Sequence, residues 1–194
     1  RLRYAYFITC NEVIKNNIGI DIIDNVLDKL ARTLESTDSF IKFKFPYFIE
    51  KEAPVSRIKS FMTYDCVISG EMINNIKTKY LTVTISYTSL CPCSKEISKY
   101  EAHNQLSTAT ITVELNKFIW LEDIISMVED SVSCPVWTTL KRSDEKYVTE
   151  TAYNNPKSCE DVARDISLIL DKLIEDNTIN DYSIVINHFE SIHN

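Results

Sequence analysis

Two stretches of strict two-residue alternation constrain this chain more than any other feature. Leu81, Val83, Ile85 and Tyr87 interleave with Thr82, Thr84, Ser86 and Thr88, and Ala109, Ile111, Val113 and Leu115 interleave with Thr108, Thr110, Thr112 and Glu114. Successive side chains of a strand point to opposite faces, so each run predicts a strand with one apolar face and one polar, mostly hydroxyl-bearing face. Ile41, Phe43 and Phe45 alternate with Lys42 and Lys44 and predict a third strand ending at Pro46. Tyr182, Ile184 and Ile186 predict another near the C-terminus, and residues 61–69 and 2–9 read as strands less cleanly.

Between these runs the period changes. Ile23, Val26, Leu27, Leu30, Ala31 and Leu34 fall on one face of a helix. Val162, Ile166, Ile169, Leu170 and Leu173 do the same, with Ser158 as the N-cap and Glu160 and Asp161 in the first turn. Residues 121–132 predict a shorter helix, and Ser143-Asp144-Glu145 reads as a further helix start. Sequential strands joined by short links make an antiparallel sheet, so the fold class is α+β. The polar stretch around 90–105 is the one candidate seam, and both halves share the strand-and-helix content of a duplicated module.

Composition narrows the function. Basic residues number 21 and acidic residues 28, a net charge of −7, which is the wrong sign for electrostatic binding of duplex DNA. Glycine occurs twice, where average usage gives roughly 14. Glycine-rich phosphate cradles such as GxGxxG and the Walker A loop are therefore excluded. No apolar run is long enough to cross a bilayer, and the start at Arg1 without a methionine points to a trimmed N-terminus. These features suggest a cytoplasmic protein with neither a membrane nor a nucleic acid as partner.

The chain carries six cysteines and three histidines. The cysteine spacing is irregular apart from Cys91 and Cys93, which favours reduced thiols with one functional cluster over a disulfide framework. Residues 89–105 are densest in reactive types: Ser89-Leu90-Cys91-Pro92-Cys93-Ser94-Lys95, then Tyr100, then Ala102-His103-Asn104-Gln105. The stiff Cys-Pro-Cys cannot aim both sulfurs at one face of a strand without strain, so the two thiols divide their roles. Cys91 and His103 can serve as two ligands of a divalent metal, since a catalytic site needs three protein ligands and an open position. Buried apolar cysteines beside a surface histidine would look the same at this level. Asn187-His188-Phe189-Glu190-Ser191-Ile192-His193 follows the last strand and places a carboxylate three residues from a histidine, a pair suited to acid–base chemistry or simply a solvated end.

Taken in order, these segments resemble the type IB GTP cyclohydrolase I family, prokaryotic enzymes of the tunnelling fold. The supporting blocks are the Cys91-to-Gln105 motif, Lys51-Glu52-Ala53-Pro54-Val55-Ser56, Lys141-Arg142 with Asp144-Glu145-Lys146 and Val148-Thr149-Glu150, Asn155-Pro156 with Glu160-Asp161 and Arg164-Asp165, and Glu190-Ser191-Ile192-His193. The resemblance covers residues 45–194 closely and the first 40 loosely. Two positions depart from the family pattern: Glu101 stands where a glycine is usual, and Leu106 where an arginine is usual. Family members are also longer.

The resemblance implies two tandem tunnelling-fold modules, residues 1–90 and 91–194, each an antiparallel sheet with helices on one face. It implies conversion of GTP and water to 7,8-dihydroneopterin triphosphate and formate, feeding folate or 7-deazaguanine nucleoside synthesis. Cys91, His103 and Glu145 fall on the metal ligands, for one zinc, manganese or iron ion and no organic cofactor. Cys93, Glu190 and His193 fall on catalytic positions and Glu160 on the carboxylate that holds the guanine edge. Lys95, Asn104, Gln105, Lys141 and Arg142 are substrate-binding candidates. The assembly implied is a homotetramer with active sites at subunit interfaces. A relative making a cyclic phosphate, a nitrile reductase using NADPH on the same fold, and a zinc-stabilised binding module are the alternatives.

Overall fold

The computed structural model describes residues 19–102 and 104–190. The strand expected over residues 2–9 and two of the expected site residues, His103 and His193, lie outside them. The element order is α1 (Ile20–Leu34), β1 (Ser39–Glu52), β2 (Lys59–Ile73), β3 (Ile76–Leu90), α2 (Pro92–Ile97), β4 (Asn104–Leu115), α3 (Leu121–Ser131), β5 (Cys134–Pro135), α4 (Arg142–Asn154), α5 (Cys159–Glu175) and β6 (Ile179–His188). The long strands form one antiparallel sheet in the order β1-β2-β3-β4-β6, and the short β5 pairs with β3. This is the α+β architecture that the alternation predicts.

The faces sort as the pattern requires. Leu81, Val83, Ile85 and Tyr87 of β3 are buried together with Ala109, Ile111 and Val113 of β4. They share one cluster with Ile23 and Leu27 of α1, Ile124 and Val128 of α3, and Val162, Ile166 and Leu170 of α5. Burying each such side chain contributes about 1.5–3 kcal/mol relative to exposure. The opposite face is ordered by hydroxyl pairs, Thr82 with Thr112 at 2.9 Å and Thr84 with Thr110 at 3.0 Å. The expected module boundary between Leu90 and Cys91 coincides with the end of β3. The sheet continues across it through the Leu90–Asn104 pairing, and the apolar cluster takes residues from both sides.

Three local features show where the chain needs glycine and where it does without it. The β2–β3 hairpin turns on Asn74 and Asn75, both left-handed at φ 50° and 65°, a conformation asparagine tolerates better than most residues. Gly70 sits where α1 crosses β2: a Cβ there would overlap Ile23 Cγ2 and lie 3.3 Å from Leu27 Cδ1. Helix α1 ends on Glu35, also left-handed, at φ 48°.

The sequence reading needs correction at four places. β1 runs through Pro46 to Glu52 instead of stopping there, because β1 is an outer strand, where a missing N–H is tolerated. The 90–105 segment contains a short helix, since Pro92 occupies its first turn and Cys91 caps it. The N-cap of α4 is Lys141, not Ser143, and Asp144 accepts the Lys141 N–H at 2.8 Å. Strand β5 is too short to show any period. The expected α5 cap is present as a reciprocal pair: Ser158 Oγ accepts the Asp161 N–H at 3.2 Å and Asp161 accepts the Ser158 N–H at 3.0 Å.

Candidate active site

The reactive segments converge on the end of β3 and the start of β4. The Lys157 N–H donates to the Leu90 carbonyl at 3.2 Å, which brings the start of α5, with Cys159 and Glu160, beside Cys91. The Phe189 N–H donates to the Leu106 carbonyl at 3.1 Å, which draws the Phe189–Glu190 segment onto the start of β4 next to Asn104 and Gln105. Four stretches distant in sequence thus meet at one sheet end. Gln105 is nearly buried, and its carbonyl accepts from Ser89 Oγ at 3.5 Å.

Cys91 and Cys93 occupy different environments. Cys91 is half-buried as the N-cap of α2, and its sulfur accepts the Ser94 N–H at 3.5 Å. The Ser94 hydroxyl and backbone N–H pull its pKa below the ordinary thiol value, against the effect of burial. Cys93 is exposed on the first turn of the same helix. Cys91 stands before the helix as its cap and Cys93 lies within its first turn, so the two sulfurs meet different surroundings. The other described thiols behave differently: burial pushes Cys66 up to about 12 and Cys134 up to about 11. Among the described residues, Cys66, Cys91, Cys93, Cys134 and Cys159 are all free thiols.

Two carboxylates, Glu160 and Glu190, belong to this end of the sheet. Glu160 lies below the ordinary carboxylate range, held there by its own backbone N–H and the Ser158 side chain. The negative charge of Glu190 acts on Cys91, Cys159 and His188, which places this carboxylate among the three. Burial raises the Cys159 thiol and lowers the His188 imidazole.

A second group gathers at the start of α4. Leu140, Lys141, Arg142, Ser143 and Glu145 line an open groove of about 630 Å³. Glu145 is paired with Arg142 at 2.8 Å on the exposed side of the helix. Lys95 reaches α4 at its other end, donating to the Tyr153 carbonyl at 2.6 Å and resting 3.8 Å above the Tyr153 ring. That side chain ties α2 to α4. Among the described residues no three His, Cys, Asp or Glu side chains are grouped as a metal-binding set, and His103 of the expected set is not one of those described. The donor chemistry of the remaining two fits a divalent ion: a thiol biased toward thiolate and an accessible carboxylate.

Two residues at these sites have surroundings that the sequence reading did not give them. His188 ends β6 opposite Ser107, and its Nε2 lies 2.8 Å from the hydroxyl of the fully buried Tyr87. Asp144 is fully buried directly before Glu145. The strand register signals the first, since a histidine ending an apolar strand lands beside its neighbours' core residues. Nothing in the sequence signals the second, because an acidic residue at a helix start ordinarily faces solvent.

Comparison with known proteins identifies the family. Residues 6–194 match the family model described as type I GTP cyclohydrolase FolE2. The chain is 49% identical over 172 residues to the GTP cyclohydrolase FolE2 of Thermosipho africanus, covering 89% of this chain and 65% of that protein. It is 47% identical over 177 residues to the GTP cyclohydrolase FolE2 of Nitrosospira multiformis, covering 91% and 66%. The chain therefore spans slightly less than two thirds of the length of these relatives. With a match over nearly its whole length and these segments meeting at one sheet end, the chain belongs to the type I GTP cyclohydrolase FolE2 family.

Proposed function

We propose that the protein is a GTP cyclohydrolase I of the FolE2 kind that converts GTP and water to 7,8-dihydroneopterin triphosphate and formate for folate or related pterin-derived synthesis. The observation that carries this reading is the family match over residues 6–194. The β3–β4 end supports it by bringing Cys91, Asn104, Gln105, Glu160 and Glu190 to one end of the sheet.

Glu160, kept charged by its backbone and Ser158, accepts hydrogen bonds from the guanine N1–H and N2–H groups, a pair adenine cannot offer. Cys91, His103 and Glu145 would hold one divalent ion, zinc, manganese or iron, which when bound supplies Lewis acidity toward water. Cys93, Glu190 and His193 move protons during opening of the five-membered ring, release of formate and rearrangement of the ribose. Lys141 and Arg142, on the open groove at the start of α4, take the triphosphate, while Asn104 and Gln105 shape the floor beneath the base. Lys95 acts chiefly through its tether to Tyr153. The active form is a cytoplasmic homotetramer, because the outer strands β1 and β6 leave sheet edges that closure between copies would cover.

The test is incubation with GTP and each of several divalent metals, following formate and the fluorescence of the oxidised pterin. Metal-dependent formation of both products supports the reading. Unchanged GTP with every metal overturns it.

A further inference from the structure

Two motifs of the sequence, Lys51–Ser56 and Lys141–Glu145, have no evident reason to be connected, yet one buried carboxylate joins them. Asp144 Oδ1 accepts the Val55 N–H at 2.9 Å and the Ser56 N–H at 2.8 Å, across sequence separations of 89 and 88 residues. Its Oδ2 accepts the Lys141 N–H at 2.8 Å. The residue is 0% exposed and has three main-chain donors around it.

The segment it grips is itself tightly folded. The Ala53 N–H donates to the Ile58 carbonyl at 2.9 Å, the Arg57 N–H donates to the Ala53 carbonyl at 3.2 Å, and Arg57 is left-handed at φ 59°. Further contacts hold the chain leading into α4 against the same end of the sheet. Lys51 donates to the Val136 carbonyl at 3.1 Å and rests 4.8 Å from the Trp137 ring centroid, while Thr138 Oγ1 donates to the Phe61 carbonyl at 2.9 Å. Glu145 follows Asp144 directly. Its N–H donates to the Lys141 carbonyl at 2.9 Å, and its carboxylate stays on the outer side of the helix. The first turn of α4 is thus anchored from inside by Asp144 and presents Glu145 outside.

We propose that Asp144 is a positioning residue: it bolts the turn between β1 and β2 to the first turn of α4 and so fixes where Glu145 presents its carboxylate to the divalent ion. This inference rests on the cyclohydrolase reading for the identity of Glu145 as a ligand. Asparagine is the sharpest probe, because it has the size of aspartate but only one acceptor oxygen. Its amide NH2 must confront a backbone N–H whichever way it is turned. Asp144→Ser is the companion variant, since its hydroxyl keeps a small polar group at this buried position but is too short to reach the Val55 and Ser56 N–H groups.

The experiment measures binding of Mn2+ and Zn2+ alone to the intact protein by competition with a chromophoric chelator. Amide hydrogen exchange at Val55 and Ser56 and melting of the metal-free protein are followed in parallel. Both variants are expected to exchange faster at Val55 and Ser56 and to bind metal about 10- to 100-fold more weakly, the range seen when a residue orienting a ligand is lost. Saturating metal should restore kcat in the Asp144 variants but not in Glu145→Gln. Wild-type metal affinity alongside faster exchange would overturn the inference, and if Asp144→Asn fails to fold, Asp144→Ser decides it. If the unaltered protein binds metal and the variants lose it, yet GTP is never converted, the positioning role stands and the cyclohydrolase reading falls.

Discussion

Tyr87 and His188 meet across the sheet, with the phenol oxygen 2.8 Å from the imidazole Nε2 and the rings edge to face at 5.8 Å. Burial raises the pKa of Tyr87, so its hydroxyl stays protonated and can donate to Nε2. The neutral imidazole then carries its proton on Nδ1. Burial lowers the His188 pKa below its ordinary 6.5, while the charges of Glu190 and Glu160 pull it back up. Nitrogen-15 NMR should find the Nδ1–H form at neutral pH and a midpoint below 6.5. With a lowered folded pKa, the unfolded chain takes up the proton first, so this contribution to stability is intact above the ordinary value and is lost as pH falls below it. Tyr87→Phe removes a donor to the neutral ring and should raise the midpoint. A midpoint unmoved by that substitution would refute the donor assignment.

The two thiols of the Cys-Pro-Cys motif should separate in one experiment. Cys91→Ala is expected to lose bound metal, whereas Cys93→Ala should keep it and still bind GTP while losing most formate release. Metal content by elemental analysis and formate assay on both variants are the measurements. Metal loss from the Cys93 variant would contradict the division.

Gly70→Ala should destabilise the protein by about 1–3 kcal/mol, the usual cost of overpacking. The added methyl meets Ile23 and Leu27 of α1 at the helix–sheet crossing. Ile23→Ala, which removes the overlapping Cγ2, should cost less in the Gly70→Ala chain than in the unaltered one. Denaturant midpoints of the single and double variants check both statements, and a neutral Gly70→Ala would mean that α1 shifts freely on the sheet.

Glu129 joins Lys51 at 2.7 Å and accepts the Tyr64 hydroxyl at 2.8 Å, with both charged side chains 14% exposed. Glu129→Ala leaves that ammonium without its carboxylate, with the Val136 carbonyl and the Trp137 ring beside it. Such a break in a buried pair costs about 3–5 kcal/mol. The double variant Lys51→Met, Glu129→Ala should be less destabilised than Glu129→Ala alone, since the stranded charge is gone. Thermal melting distinguishes the two outcomes.

Much of this protein can be read along the chain, for a physical reason. The faces of β3 and β4, the apolar stripe of α1 and the Ser158 cap depend on periodicity and on hydrogen bonds between residues three apart, all local quantities. Cys91 stands out by its motif along the chain, while the roles of Cys93 and Glu160 rest on the family resemblance of that motif order. What only tertiary structure decided depends on partners far away. β1 continues through Pro46 because it lies at the outside of the sheet, a position no local pattern states. Lys95 reads as a substrate-binding candidate until Tyr153 is seen beneath it, and His188 as part of a solvated end until Tyr87 is seen beside it. Asp144 looks like an exposed helix-start residue, and it is buried because two N–H groups nearly 90 residues away need an acceptor. A sequence specifies which groups a segment carries. Whether those groups meet water or each other is settled when the sheet brings distant segments to the same end.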